Sequence, residues 1–268
     1  MTEMGPLNPW GAIQEIRRVA PVVHSITNYV VMNNTANALL AMGASPVMAH
    51  AEEEMVDMVA IASSLVLNIG TLSSSWVRSM FMAIEQANQR NIPIVIDPVG
   101  AGATSYRTSI ARELIHAARP AIIRGNASEI MAVCGEGART KGVDSQDPAI
   151  AAISAARSLH QSFGSAVCIS GATDFIVHGN QLIQVHNGHP MMTRVTGMGC
   201  TATALCGAFA SVEPDGGRAA AYAMIVMGIA GEMAMAKAEG PGTLQLYFLD
   251  ALHGLAQWDM EGRIRAEF

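Results

Sequence analysis

Cys200 follows Thr196-Gly197-Met198-Gly199 and opens a run of small and apolar residues that reaches Val212. Two glycines around one residue let the backbone come close to a ligand. The helix that follows aims its free N–H groups, and about half a positive charge, at whatever sits in the turn. A thiol at the mouth of such a helix is expected to have its pKa lowered. These residue types at this spacing point to an anion held beside a reactive side chain, and so to phosphate chemistry. The stretch also fits G-x-G-x-x-A through Gly197, Gly199 and Ala202. That dinucleotide fingerprint belongs behind the first strand of its domain, with an acidic residue about 20 positions later at a strand end. Here it comes late, only helices follow, and Asp215 lies in a Pro-Asp-Gly-Gly turn. A nicotinamide cofactor is therefore not the reading, and the chain lacks the G-x-x-x-x-G-K-[ST] of a P-loop.

Three more charged residues sit where chemistry is expected. Asp97 ends the apolar stretch Ile92-Pro93-Ile94-Val95-Ile96. A buried carboxylate there is costly unless it is paired or meets a metal, so it reads either as a cap or ion-pair partner or as a magnesium contact. Arg124 carries a fork suited to phosphate, although an arginine at a strand end is also ordinary surface. Glu129 stands three residues after Asn126, the spacing of a capping box. His24-Ser25-Ile26-Thr27-Asn28 gathers hydrogen-bonding side chains at another strand end, with Thr27 or Asn28 expected to cap a helix. Among the methionines, Met48 stands out for its place at a strand end.

The elements that must position these groups alternate. Strands are expected at 22–26, 45–49, 65–69, 92–96, 121–124 and 166–170, with helices at 29–42, 52–62, 74–90, 108–118, 127–134 and 148–163. Asp147-Pro148 supplies a cap and a first-turn proline for the last of these. Apolar strands separated by helices predict a mainly parallel sheet covered on both faces, a three-layer αβα architecture. After Ser170 the pattern becomes a hairpin, 175–178 and 182–186, followed by three helices at 200–212, 217–238 and about 243–258. With no linker or repeat in sight, residues 1–268 read as one domain. Ligands of such sheets bind beyond the carboxyl ends of the strands, where Asn28, Asn68, Asp97, Arg124 and Ser170 should meet the Gly197–Cys200 turn.

Composition narrows the classes. Half of the 268 residues are hydrophobic, 14% are charged and the net charge is -6, which argues against disorder and against a nucleic-acid surface. The start of the chain lacks the pattern of a signal peptide, and the longest apolar runs fall short of the roughly 20 residues of a membrane span. Cys134, Cys168, Cys200 and Cys206 follow no zinc or redox spacing, so a reduced, cytoplasmic protein is expected.

Taken together, the segments resemble the hydroxyethylthiazole kinases, thiamine-salvage enzymes of the ribokinase-like superfamily. The resemblance runs through Val23–Asn28, Ala38–Met48 with its Gly-Ala-Ser-Pro-Val-Met, Leu67–Leu72, Asp97–Ala101, Ile123–Ile130 with Arg-Gly-Asn-Ala-Ser-Glu, Thr196–Cys200 and Glu239–Gly242. It implies ATP-dependent phosphorylation of the primary alcohol of 4-methyl-5-(2-hydroxyethyl)thiazole. By the same resemblance, Met48, Gly197 and Asn28 serve the thiazole, while Arg124, Ser170 and Thr196 serve ATP. Asp97 and Glu129 take the places of Mg²⁺-associated carboxylates, and Cys200 lies at the reacting hydroxyl with Gly197 and Gly199 forming the anion-binding turn. A homotrimer with sites at subunit contacts is implied too. Ser25 and Ser170 stand where the family commonly has Cys and Thr, and Met198 places a larger side chain in the turn. Sugar kinases of the superfamily generally carry Asp at the position of Cys200, which leaves two roles open for the thiol: proton acceptor, or a group that only positions the hydroxyl. Two further readings stay in view, a hydroxymethylpyrimidine kinase of the same fold and a nucleotide-binding module without catalysis.

Overall fold

In apolar strands buried on both faces, successive side chains feed two separate cores. The computed structural model describes residues 7–135 and 148–268, and its strands show this. Helix α1 (Trp10–Val19) leads to β1 (Val22–Ile26), α2 (Met32–Met42), β2 (Ser45–Val47) and α3 (Met55–Ile61). The alternation continues through β3 (Ser64–Asn68), α4 (Ser74–Arg90), β4 (Ile94–Asp97), α5 (Ser105–Ala118), β5 (Ile122–Asn126) and α6 (Ala127–Cys134). Then come α7 (Pro148–Phe163), β6 (Ala166–Ser170), the hairpin β7 (Asp174–His178) and β8 (Gln181–Val185), and helices α8 (Met198–Ala210), α9 (Gly216–Met235), α10 (Pro241–Gly254) and α11 (Gln257–Arg263). A short β9 (Ala266–Glu267) follows.

The strands form one sheet in the order β2-β1-β3-β4-β5-β6-β7-β8-β9. The first six run parallel, and β7, β8 and β9 are antiparallel to their neighbours. Val66, Val95, Ile122 and Cys168 pack to one face with the apolar sides of α1, α2, α8, α9 and α10. Their strand neighbours Leu65, Leu67, Ile94, Ile96, Ile123 and Val167 pack to the other face with α3 to α7. The expected three-layer, mainly parallel αβα fold is therefore present. The period-two switch is the reason the strands read as unbroken apolar runs.

Several local expectations need correcting. Thr27 and Asn28 do not cap a helix: α2 starts at Met32 behind Val31, with no side-chain cap. The Asn28 side chain is already used, because its Oδ1 accepts from the Val30 amide. The helix expected at 52–62 begins as a 3-10 turn at Glu52–Glu54 before α3. The one expected at 243–258 is divided into α10 and α11, while α1 and β9 come in addition to the expected elements. The hairpin turns at Gly179-Asn180, where Gly179 has φ 59°, as the sequence predicts. Asp215 caps α9 by accepting from the Arg218 amide. The proposed Asp147 cap lies outside the described residues.

Candidate functional site

Because β1, β3, β4, β5 and β6 run parallel, the polar residues at their carboxyl ends converge. Asn28 lies just past β1, and its Nδ2 donates to Asn68 Oδ1 at 2.9 Å and to Cys200 Sγ at 3.5 Å. Asn68, the last residue of β3, also accepts from the Gly70 amide at 3.0 Å and donates through Nδ2 to Asp97 Oδ2 at 2.9 Å. Thr203, one turn along α8 from Cys200, donates to the same Asp97 oxygen at 2.8 Å. An unbroken line of hydrogen bonds therefore joins Cys200 to Asp97. The other carboxylate oxygen, Asp97 Oδ1, is buried and has no hydrogen-bond partner. Burial pushes the Asp97 carboxyl up to about 6, against the opposing pull of Arg124 and the Thr203 hydrogen bond.

Across the turn from Asn28 lies Arg124. It is buried rather than at the surface, and its Nε has no hydrogen-bond partner. Burial opposes its charge, but Asp97 and neighbouring groups more than offset this and keep its pKa above the ordinary value. A Cβ at Gly199 would come within 2.8 Å of Arg124 Nη1, so a side chain there would displace the guanidinium. Gly197 supplies the left-handed backbone (φ 87°) that starts α8. Thr201 is the first amide to bond back within this helix, to Gly197 O at 2.8 Å. The amides of Met198, Gly199 and Cys200 precede that bond and face the turn.

The lowered thiol pKa expected at the helix mouth is overturned. Burial, and then the negative charge of Asp97, push the Cys200 thiol up, and the neighbouring Asn68 and Asn28 amides only partly oppose them.

Glu129 is in the expected capping box. Its Oε2 accepts from the Asn126 amide at 2.8 Å, and its Oε1 accepts from the Gly100 amide at 2.8 Å, tying α6 to the loop after β4. Among the described residues, no three His, Cys, Asp or Glu side chains group to hold a metal.

Two recesses meet at the Gly197-Met198 backbone. A cleft of about 660 Å³ runs past Arg124, Ser170, Asp174, Met192, Met227 and Gly199. A smaller crevice on the α2 and α10 side is lined by Asn34, Thr196, Phe248 and Leu249. Gly197 and Met198 line both. Ser170 thus shares the cleft with Arg124, whereas Thr196 lines the crevice. Met48 lies one residue past β2, lines neither recess and packs against the core.

Three further residues stand out: Asn68, which the sequence places among the converging strand ends without a role, and Thr203 and Asp174, which it does not mark. Asn68 had a visible signal, a polar residue closing an apolar strand. Thr203 was hidden inside the apolar run of α8. Asp174 enters the cleft only because β7 turns back beside β6. Its Oδ1 accepts from the Gly171 amide at 3.0 Å, and burial pushes its carboxyl up to about 6.

The model of the hydroxyethylthiazole kinase family matches residues 13–258. The chain is 58% identical to the hydroxyethylthiazole kinase of Syntrophus aciditrophicus over 98% of both chains. It is 52% identical to that of Vibrio parahaemolyticus over 96% of both. A solved hydroxyethylthiazole kinase from Pyrococcus horikoshii superposes with a TM-score of 0.88 at 41% identity, covering 96% of this chain and 97% of that one. At the level of fold alone, a ribokinase-like protein from Enterococcus faecalis (TM-score 0.63, 14% identity, 95% and 92% coverage) and the pyridoxal kinase of Staphylococcus aureus (TM-score 0.63, 14% identity, 78% and 86% coverage) are similar. No helix among the described residues is long and apolar enough to cross a membrane.

Proposed function

Since this chain belongs to the hydroxyethylthiazole kinase family and is an enzyme of that type, we propose how its residues carry out the transfer of phosphate from ATP to the alcohol of hydroxyethylthiazole in thiamine salvage. The observation that carries the reading is Arg124: a buried guanidinium with an unpartnered Nε, set against the glycine turn at the start of α8. Leaving such a donor unpaired is costly, and a polyphosphate in the cleft is the partner that its chemistry fits.

The cleft beside Arg124 and Ser170 takes ATP, and the side of Asn28 takes the alcohol, with the amides of Met198, Gly199 and Cys200 between them. Transfer of this kind depends mainly on positioning and on neutralising charge. The three amides and Arg124 hold the equatorial oxygens of the phosphoryl group as the alcohol oxygen bonds to phosphorus and the bond to the ADP oxygen breaks. With its thiol pKa raised, Cys200 is a hydrogen-bonding neighbour of the hydroxyl and not its base. The alcohol proton leaves on the transferred phosphoryl group, and Asn28 fixes the thiol beside the reacting oxygen.

The residues fit a magnesium ion. Asp97 Oδ1 is an orphaned hard oxygen at the strand end, and such an ion needs only one or two carboxylates besides phosphate oxygens and waters. Asp97 would hold it, and Glu129, whose oxygens each already accept an amide, would act through water. Mg²⁺ bound there would neutralise phosphate charge. Thr196 and Met48 lie outside the ATP cleft, and a trimer that brings a second copy against the Met48 edge would complete the alcohol side. The chain acts as a single catalytic domain in the cytoplasm.

ADP release measured with the thiazole alcohol, with hydroxymethylpyrimidine and with no acceptor tests this. Release that depends on the thiazole alcohol is expected. Preference for the pyrimidine would reassign the acceptor. Nucleotide binding without release to either alcohol would mark a non-catalytic module.

A further inference from the structure

One wall of the cleft is formed by the loop of residues 186–190, lying directly on α9. It can lie so close because α9 has no side chains there: a Cβ at Gly228 would overlap Asn187, and one at Gly231 would overlap Met192. Close packing alone does not fix a loop, and this one is also bonded from below. Glu232, one turn beyond Gly228, accepts from the Gly188 amide at 2.7 Å and from Asn187 Nδ2 at 3.2 Å through the same Oε1. Arg265 Nη2 reaches that oxygen as well, at 2.7 Å, and donates to the carbonyl of His186 at 2.9 Å. Asn187 closes the circuit by accepting from the Arg265 amide at 2.8 Å and donating to the Arg263 carbonyl at 2.7 Å. Asn187 is buried, and Asn187, Gly188, Met192 and Gly228 all line the cleft.

We infer that Glu232 and Arg265 are positioning residues for the nucleotide. They hold the 186–190 loop in the shape that the cleft wall requires, so that α9 and the segment leading into β9 set nucleotide affinity without touching the reacting groups. The inference rests on reading this cleft as the nucleotide site. Charge is what makes the clamp effective, because one carboxylate oxygen gathers an amide, a side-chain amide and a guanidinium, and hydrogen bonds to ionised groups are the stronger ones. The alcohol side, reached through Asn28 and Asn68, shares no residue with the clamp.

Kinetics of Glu232→Ala and Arg265→Ala are compared with the parent enzyme, alongside hydrogen exchange of residues 186–193 with and without ADP. The expected result is a KM for ATP raised roughly tenfold in Glu232→Ala, and less in Arg265→Ala, which keeps its backbone bond to Asn187. In both, kcat and the KM for the alcohol stay within about twofold, and Glu232→Gln recovers part of the loss by still accepting from Gly188. ADP is expected to slow exchange of the loop in the parent enzyme and less in the alanine variants. If ADP protects the parent loop but the variants keep a parental KM for ATP, the clamp is overturned while the nucleotide cleft stands. If ADP leaves the parent loop unprotected, the cleft assignment itself falls. Equal losses for both substrates would mark Glu232 as general scaffolding, and Arg265→Ala provides the same comparison if Glu232→Ala does not fold.

Discussion

The two sides of the Gly197–Cys200 turn are built on opposite principles. On the Asn28 side, both amides have partners at each end: Asn28 with Val30, Asn68 and Cys200, and Asn68 with Gly70 and Asp97. On the other side, Arg124 Nε and Asp97 Oδ1 are buried without partners, and the first amides of α8 face the turn. A satisfied network is rigid and sets geometry, whereas unpaired buried groups carry a cost that a ligand removes. On the proposed reading, the first side orients the small acceptor and the second neutralises a highly charged donor.

The strongest way to break this contrast is Arg124→Ala. It should lower kcat/KM by roughly 10²- to 10³-fold, the scale of losing a donor to transition-state charge. Steady-state assays that showed a loss of only a few-fold would mean that the unpaired side is not where charge is handled. Asn68→Ala removes the centre of the satisfied side and should cost roughly tenfold or somewhat more in kcat with a smaller change in the KM for ATP; an effect mainly on the ATP KM would invert the assignment. Cys200→Ala should reduce kcat less than about tenfold, because a true general base is worth 10²- to 10⁴-fold. A larger loss, restored by Cys200→Asp, would reinstate the thiol as the proton acceptor.

The smallest effect is on stability. Burial raises the Asp174 carboxyl from its ordinary 3.8 to about 6, so the folded protein binds that proton more tightly than the unfolded chain. Asp174's contribution to stability therefore falls as pH rises from about 4 to about 6 and is constant above. Asp174→Asn keeps an acceptor for the Gly171 amide without the charge. Relative to the parent, it should gain stability across that window in urea denaturation measured at a series of pH values. A difference that does not vary with pH would show that the group is not buried in its charged form.

Much of this was legible in the chain. Apolar strands closed by a polar residue marked Asn68, Asp97 and Arg124 at one sheet edge, because parallel strands put their carboxyl ends together. The Asn126/Glu129 box was readable because it is local. What escaped depends on long-range contacts. The direction of the Cys200 shift is set by burial and by Asp97, and neither follows from a helix start. Thr203 looks like one more small residue in an apolar helix until Asp97 is seen beneath it. Helix α1 was missed because it lacks the usual stop signal: the residue that ends it in a left-handed conformation is Ala20, not glycine or asparagine.

The hydrogen bonds between Asp97 and Cys200 also have a direction. Asp97 only accepts, Asn68 donates to it and accepts from Asn28, and Asn28 donates onward to the thiol. If the proposed nucleotide and alcohol sites are right, they are connected in series through one carboxylate, and a change in the charge balance at Asp97 alters the hold on Asn28. Thermodynamic linkage then requires the effect to be mutual. On that reading, bound nucleotide should change the affinity for the alcohol by some factor, and the alcohol should change nucleotide affinity by the same factor. Titrations of each ligand in the presence and absence of the other, with a non-hydrolysable ATP analogue, measure that factor, and Asn68→Ala should bring it close to one.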